Sequence, residues 1–496
     1  MENSTGENRH SVRILAAGVV LRLFYVLFSS IYERQYDIGM IDLSQDHTVS
    51  GGHLAYIQFL YQNGRLPDID PTTVYQFNHP PFYYTVSALW LRTADHFIPD
   101  THMLEESLQT IPLICAIAIL FILFRIIKQA GVYGRGEIFC AAVFSFHPAL
   151  VMLSGSVNND CMGLMFVLLC IYGIISWDSC VTGTPEGIPA HTRHPVPAGG
   201  VGAADRCRRS RKYLLLTATS LGLGIMTKQS TALMAFPIGI VFAAVFFRTL
   251  WSHKNTGIDT YSSTSSGTAM PETSGVLSLK ELLCQFTVFL VISVPLAMWF
   301  YIRNLLRYAT PLVWVYTLPE DSWQYVGDVP LRYRFLLPGM QDMLENLRTF
   351  QLGCGYNVWM QIIRTSVLGE WDMAATPKSV KLTAAALMAA GAVLAAAALI
   401  SMYARFIRRK AARADLILLL TYLVHMVSYL KFAYDYPQEC SMNFRYIAVT
   451  ILPPAAALGK CLSERQKSSA AVTAAAVLTA AFCLLSLLMT AIWCTM

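Results

Sequence analysis

The sequence has few charged residues for its length. Asp, Glu, Lys and Arg make up 14% of its 496 residues, and 55% are hydrophobic. A soluble domain carries about 25% charged residues, so the composition excludes a chain of ordinary soluble domains. Acidic residues are fewer than basic ones, with 31 Asp and Glu against 37 Lys and Arg. This basic excess does not imply a nucleic-acid partner, because the positions of the basic residues fit the topology of a membrane protein.

Cysteine motifs and internal repeats are also lacking. No CxxC pattern occurs among the 12 cysteines, so the sequence has no thioredoxin-like redox motif. Cys354 and Cys440 both fall in predicted outer segments, and the sequence alone leaves open whether they pair. No internal repeat or matched pair of interrupted helices occurs, which argues against a secondary transporter.

Long apolar runs, in contrast, are abundant. Crossing a bilayer takes about 20 apolar residues, and we predict an all-α polytopic membrane protein of about 11 transmembrane helices. The predicted spans are 12–32, 107–128, 136–154, 160–177, 213–228, 230–250, 282–302, 382–404, 414–434, 444–461 and 470–493. Two further segments, the amphipathic stretch 51–64 and the stretch 80–98, are predicted to lie along the interface.

The Lys and Arg clusters predict the orientation. They lie at 125–135, 206–212, 405–413 and 460–467, and all four fall on one side if the amino terminus is cytoplasmic. The positive-inside rule makes that side cytoplasmic. Residues 1–11 are then a cytoplasmic amino terminus before a retained first span, 178–212 and 252–275 are flexible cytoplasmic loops, and 33–106 and 303–381 are outer loops.

Several polar residues are predicted to meet at the outer face. They are Asp37 after the first span, His79, Asp160 at the start of a span, and three cations at span ends, Lys228, Arg303 and Arg445. Carboxylates at the membrane edge are costly unless they pair or act.

This layout suits group transfer from a lipid-linked phosphate. Lys and Arg bind phosphate through charge-assisted hydrogen bonds. A phosphate leaving group needs positive charge more than a general acid, whereas the acceptor needs a base, which a carboxylate supplies.

Sequence segments in a fixed order carry a family resemblance. After Asp37, GGHLAYI and HPPFYY come SGSVNND, GLGIMTKQS, WFYIRN with YATPL, and FRYIAVTILPP. The chain resembles the GT-C superfamily of polytopic membrane glycosyltransferases, and within it the bacterial relatives of dolichyl-phosphate-mannose protein mannosyltransferases and the aminoarabinose transferase ArnT. The resemblance makes 12–461 a catalytic transmembrane domain, followed by the last helix at 470–493. The long soluble carboxyl-terminal domain of oligosaccharyltransferases is not found here, so that branch is not expected.

The resemblance implies a catalytic aspartate at Asp37, a site-shaping role for Asp160, and Lys228 and Arg303 near the donor phosphate. The predicted catalytic residues are Asp37 and Asp160. The predicted substrate-binding residues are Asp46, His53, His79, Tyr84, Asn159, Lys228, Arg303, Asn304, Arg445 and Tyr446.

Other roles for these residues remain open. Asp37 could pair with Arg34, with Asp46 or Asp42 as the base instead. Asp160 could cap its helix, and Lys228 and Arg303 could extend to the interface. Arg445 could pair with Asp435 or Glu439. A divalent metal site from Asp37, Asp46, His47, His53, His79 and Asp160 is conceivable, so the metal is left open and no cofactor is assigned.

The sequence therefore predicts a cell-envelope glycosyltransferase. It would transfer a hexose or pentose, with inversion, from a polyprenyl-phosphate donor to an extracytoplasmic glycan, lipid or protein. The alternative is a non-enzymatic multi-pass transporter or a polyprenyl-lipid flippase. The sugar, the acceptor, the carrier length and the oligomeric state are not identified.

Overall fold

The chain is all-helical wherever the structure, a computed structural model, describes it. It describes residues 2–33, 36–37, 41, 51–183, 203–259, 277–339, 341, 343, 355–465 and 469–495, and these ranges contain no β-strand. The α-helices are α1 (Glu2–Leu27), α2 (His53–Asn63), α3 (Phe82–Ala94), α4 (Thr101–Glu106), α5 (Thr110–Gln129), α6 (Arg135–Phe146), α7 (Pro148–Met152), α8 (Asp160–Thr182), α9 (Ala203–Ile225), α10 (Ala235–Asp259), α11 (Leu279–Tyr308), α12 (Leu331–Phe335), α13 (Val358–Leu368), α14 (Lys378–Ile407), α15 (Arg413–Asp435), α16 (Leu452–Glu464) and α17 (Ala470–Thr495). Short 3-10 helices cover Ser107–Gln109, Gln229–Met234, Glu439–Met442 and Phe444–Ile451.

Nine helical segments of the described ranges are long and apolar enough to cross a membrane. They are Arg9–Leu27, Thr101–Gln129, Asp160–Thr182, Gln229–Trp251, Leu279–Tyr308, Lys378–Ile407, Arg413–Asp435, Glu439–Glu464 and Ala470–Thr495. The prediction of a polytopic all-α membrane protein is confirmed in kind, and the number eleven stays a prediction. Two predicted spans differ from these nine. The run 136–154 is divided between α6 and α7. The run 213–228 contributes residues 213–225 to the second half of α9, whose first half is rich in arginine.

The two stretches predicted to lie at the interface form helices too short to span. Helix α2 ends at Gly64, whose φ of 64° is the left-handed conformation that glycine adopts readily. Helix α3 has 13 residues, about 20 Å of helix, against a hydrocarbon core of about 30 Å. The rings of Tyr56 and Tyr84 stack at 4.4 Å between the two helices. The two short helices thus pack on each other through buried aromatic side chains.

A buried arginine stabilises the break between α6 and α7. Pro148 has no N–H to donate to Phe144 four residues earlier. Arg22 of α1, fully buried, donates instead to the carbonyls of Phe144 at 3.1 Å and Ser145 at 2.9 Å. Gly18 allows this approach, since a Cβ there would lie 2.6 Å from the Cβ of Ser145. Arg22 therefore satisfies carbonyls that the break exposes inside an apolar bundle.

Arg22→Met is expected to lower the free energy of unfolding by about 2 to 3 kcal/mol, because buried carbonyls lose a charged donor. The measurement is the thermal midpoint of the detergent-solubilised protein. Arg13→Met is the matched control, since Arg13 lies on the same helix but is exposed. Equal midpoints for the two variants would contradict this role.

Tyr36 holds the segment that follows α1. It is 2% exposed, and its hydroxyl donates to the Thr365 carbonyl of α13 at 2.6 Å. Its carbonyl accepts from the Asn158 side chain at 3.3 Å, just before α8. The next residue, Asp37, is therefore held close to α13 and to the segment that precedes α8.

Candidate active site

Asp37 sits at the centre of a hydrogen-bonded group. Its φ of 68° is left-handed, a conformation that aspartate tolerates better than most residues. The backbone N–H donates to Glu370 Oε2 at 2.8 Å. The carboxylate accepts from Arg445 Nη2 at 2.9 Å and contacts His53 Nε2 at 2.9 Å. Both carboxylate oxygens and the amide are thus oriented.

His53 and Tyr84 lie behind this carboxylate. His53 begins α2 and is 1% exposed, and its Nδ1 lies 2.7 Å from the hydroxyl of Tyr84 on α3. With Nε2 protonated, the ring donates to Asp37 while Nδ1 accepts from Tyr84, so one ring proton suffices. The pair orients Asp37 without reaching the cavity described below.

The surroundings move the pKa values of three nearby groups. Burial alone would raise the pKa of Asp37, but Arg445 and His53 outweigh it and hold that pKa well below its usual range. Burial raises the pKa of Glu370, and Arg445 offsets this only in part. Burial, and secondly His53, lowers the pKa of His79 to about 3, so His79 is neutral at neutral pH.

Arg445 connects three carboxylates. Besides Asp37, its guanidinium lies 3.5 Å from Asp160 Oδ2 and 3.5 Å from Glu370 Oε1. The preceding Asn443 fixes the backbone, accepting from the Arg445 N–H at 3.0 Å and donating to Glu370 at 2.8 Å. Nε and Nη1 of Arg445 make no hydrogen bond within the described part of the chain. The alternative partners bond elsewhere, Asp435 to Lys431 and Glu439 to Gln361.

Lys228 supplies a second cation beside Asp160. It lies between α9 and the 3-10 helix Gln229–Met234, pairs with Asp160, and stands 4.8 Å from the ring centre of Tyr446. Gly163, one turn after Asp160, leaves room for it, because a Cβ there would lie 3.1 Å from Lys228. Asp160 is the first residue of α8, and the cap residue before it, Asn159, donates its side-chain amide to the Thr227 carbonyl at 3.0 Å.

These groups line a cavity of about 280 Å³. The predicted site residues that line it are Asp37, His79, Asn159, Asp160, Lys228, Arg445 and Tyr446. The cavity also follows one face of α15, past Tyr436, Phe432, Ser428 and His425. The eleven steps from His425 to Tyr436 correspond to about 16 Å at the rise of a helix, so the cavity extends from the charged group along this helix.

Arg303 and Asn304 lie apart from this cavity. The Arg303 guanidinium donates to the Pro67 carbonyl at 2.8 Å and to Asn304 at 2.9 Å. Both residues line a separate recess of about 10 Å³ under the loop that contains Pro67. The structure therefore brings Lys228 and Arg445 to Asp37 but does not bring Arg303 there.

Two residues of the site, Glu370 and Asn443, were not predicted from the sequence. Glu370 follows α13 in the loop before α14, and Asn443 lies two residues before Arg445. No local sequence pattern identifies either residue as part of the site.

Two of the predicted metal ligands, Asp46 and His47, lie outside the residues that the structure describes. So do Asp42, Arg34 and Cys354. Among the residues that the structure does describe, no three His, Cys, Asp or Glu side chains form a group that could hold a metal ion. The metal question therefore stays open.

No protein-family model matches the chain, and neither does any curated protein. Solved structures of the oligosaccharyltransferase of Archaeoglobus fulgidus align with it. The apo form gives a TM-score of 0.48 at 13% identity and covers 98% of this chain and 56% of that one. The form in complex with an inhibitory peptide and a dolichol-phosphate gives 0.49 at 12% identity, covering 98% and 56%. A third, tethered to an acceptor peptide containing the NVT sequon, gives 0.48 at 12% identity. This chain spans little more than half the length of those proteins.

Proposed function

We propose that the chain is a membrane glycosyltransferase of the GT-C superfamily, related to the protein mannosyltransferases and ArnT. It transfers a sugar from a polyprenyl-phosphate donor to an extracytoplasmic acceptor. The observation that carries this proposal is the cavity in which Asp37 faces Arg445, with Lys228 beside it.

The two cations bind the donor phosphate. Nε and Nη1 of Arg445 lie 3.5 Å from Asp160 and Glu370 and make no hydrogen bond within the described residues, so both N–H groups can donate to a bound anion. Lys228 adds a compact positive charge on the same side as Asp160. The carrier chain then follows α15 along the cavity, from Tyr436 to His425.

Asp37 is the base. The acceptor hydroxyl attacks the anomeric carbon, the bond from that carbon to the phosphate oxygen breaks with its electron pair going to the phosphate, and the acceptor proton moves to Asp37. Single displacement inverts the anomeric centre. Arg445 and Lys228 stabilise the charge that develops on the leaving phosphate.

Donor binding prepares this base. With only Arg445 and His53 around it, Asp37 has a pKa well below the usual range and is a weak base. A phosphate that draws Arg445 away raises the pKa of Asp37 toward its ordinary value and frees Oδ1 for the acceptor. The base thus becomes effective only when the donor is in place.

A reconstituted assay tests this function. Proteoliposomes are given labelled polyprenyl-phosphate mannose, glucose, galactose or arabinose, with envelope glycans, lipids and peptides as acceptors. One polyprenyl phosphate released for each labelled acceptor is the expected result. Movement of intact labelled lipid across the bilayer, with no bond cleaved, would instead favour the transporter or flippase.

Lys228→Met is expected to weaken polyprenyl phosphate binding by about tenfold or more. The variant loses a charged hydrogen bond to the phosphate, and the negative charge of Asp160 is then less well neutralised. The dissociation constant in nanodiscs is the measurement. Lys431→Met is the matched control, since Lys431 is exposed and pairs with Asp435. Unchanged affinity in the Lys228 variant would remove Lys228 from the phosphate site.

A further inference from the structure

Two side-chain amides on one wall of the cavity are unused by the machinery above. Gln76 and Asn78 both line it and are half-buried. Neither makes a side-chain hydrogen bond within the described part of the chain. Each amide offers two donor hydrogens and a carbonyl acceptor. Amides left unpaired beside a cavity are ready to bond whatever fills it.

Gln76 also carries a strained backbone. Its φ is 68°, and only three other non-glycine residues of the described ranges have positive φ: Asp37, Ala309 and Arg409. Ala309 caps α11, and Arg409 follows the end of α14, where left-handed residues commonly end helices. The other two, Asp37 and Gln76, both line this cavity. A strained residue of this kind costs about 1 kcal/mol or more and is typical of functional sites.

The surroundings of Gln76 impose this conformation. The carbonyl of Tyr75 accepts from the Gly52 N–H at 3.1 Å, and the Gln76 carbonyl accepts from the His79 N–H at 3.3 Å. The rings of Tyr75 and Tyr316 contact each other at 4.3 Å. The loop is therefore held from both sides. Among the residues that the structure describes, the Gln76 side chain has no hydrogen-bond partner that would account for the strain.

We propose that Gln76 and Asn78 form the subsite for the transferred sugar. Their amides bond its hydroxyls, and the rings of Tyr75 and Tyr316, which line the same cavity, cover an apolar face of the sugar. This inference rests on the proposed function, since Lys228 and Arg445 hold the phosphate to which the sugar is attached. The wall thereby selects the sugar, and the cations select the carrier phosphate.

Ligand pairs of equal charge that differ in the sugar test this subsite. The full-length protein in nanodiscs is titrated with farnesyl methyl phosphate, a phosphodiester without a sugar, and with farnesyl-phosphoryl mannose, glucose, galactose and arabinose. The wild type should bind at least one sugar-bearing ligand about tenfold more tightly than farnesyl methyl phosphate, as two net hydrogen bonds would give. The double variant Gln76→Leu with Asn78→Leu should lose that advantage while keeping its affinity for farnesyl methyl phosphate.

A conservative variant separates binding from folding. Gln76→Asn keeps an amide, shortens it by one carbon, and places a residue that tolerates positive φ better than glutamine. It should lose most of the sugar advantage without lowering the thermal midpoint. A merely structural role for Gln76 would instead leave the affinity ratio unchanged.

Three results would overturn the subsite. They are a wild type that binds no sugar-bearing ligand more tightly than farnesyl methyl phosphate, a double variant that keeps the advantage, and a double variant that weakens both ligands equally. Lys228→Met reports on the proposed function separately, because it should weaken farnesyl methyl phosphate and the sugar-bearing ligands, which carry the same charge, by the same factor. If it weakens neither, the phosphate site fails while the sugar comparison remains readable.

Discussion

Asp37→Asn is expected to reduce sugar transfer by about a thousandfold, the contribution of a well-placed general base. Asparagine keeps the shape of the side chain and can still accept from Arg445, but it cannot take the acceptor proton. The rate of transfer from a labelled polyprenyl-phosphate sugar in proteoliposomes is the measurement.

The affinity of the Asp37→Asn variant for the donor should not fall with its transfer rate. The variant removes one negative charge next to Arg445, so the cavity repels an anionic phosphate less, and the donor should bind as tightly as in the wild type or more tightly. A loss of rate with retained or improved binding is the signature of a base, whereas a misfolded site would lose both.

Asp68→Asn is the matched control. Asp68 lies in the segment between α2 and α3, pairs with Arg307 at 3.0 Å and is exposed, so its variant should transfer at the wild-type rate. If Asp37→Asn also transferred at that rate, Asp37 would not be the base, and Asp160 would become the candidate.

How well the sequence predicted the site differs from residue to residue. The position of a residue at the end of a span predicts its depth, and on that basis Asp37, Lys228 and Arg445 were expected at one level. The structure adds that all three line one cavity. Arg303 was predicted by the same reasoning, yet its guanidinium bonds the Pro67 carbonyl. The depth of a residue in the membrane does not determine the direction in which its side chain points within the helix bundle.

Glu370 could not be predicted from local pattern. It bonds the Asp37 N–H across 333 positions of the sequence, and no periodicity or spacing connects two such loops. The break at Pro148 did have a signal, because proline within an apolar run interrupts a helix. Its partner Arg22 was visible only as a charge inside a predicted span, and the structure alone joins the two.

Even the conservative replacement of Arg445 by lysine is expected to impair function. Arg445→Lys keeps the charge but loses the planar fork that reaches Asp37, Asp160 and Glu370 from one position. We expect about a hundredfold slower transfer and about tenfold weaker binding of polyprenyl phosphate, from the loss of charge-assisted hydrogen bonds to both base and phosphate. Transfer kinetics and titration in nanodiscs measure the two effects.

The corresponding methionine variant shows which of these losses belong to folding. Arg445→Met leaves three carboxylates beside one cation, Lys228, and should lower the free energy of unfolding by about 3 to 5 kcal/mol. Adding Glu370→Gln removes one of those charges, so the double variant should recover about 1 to 2 kcal/mol, as expected for coupled neighbours.

Stability and activity should then separate. The double variant should unfold at a higher temperature than Arg445→Met alone and still not transfer sugar, because no group replaces the guanidinium at the phosphate. If transfer returned together with stability, Arg445 would act only by holding the carboxylates in place, and Lys228 would be left as the single phosphate ligand in the cavity.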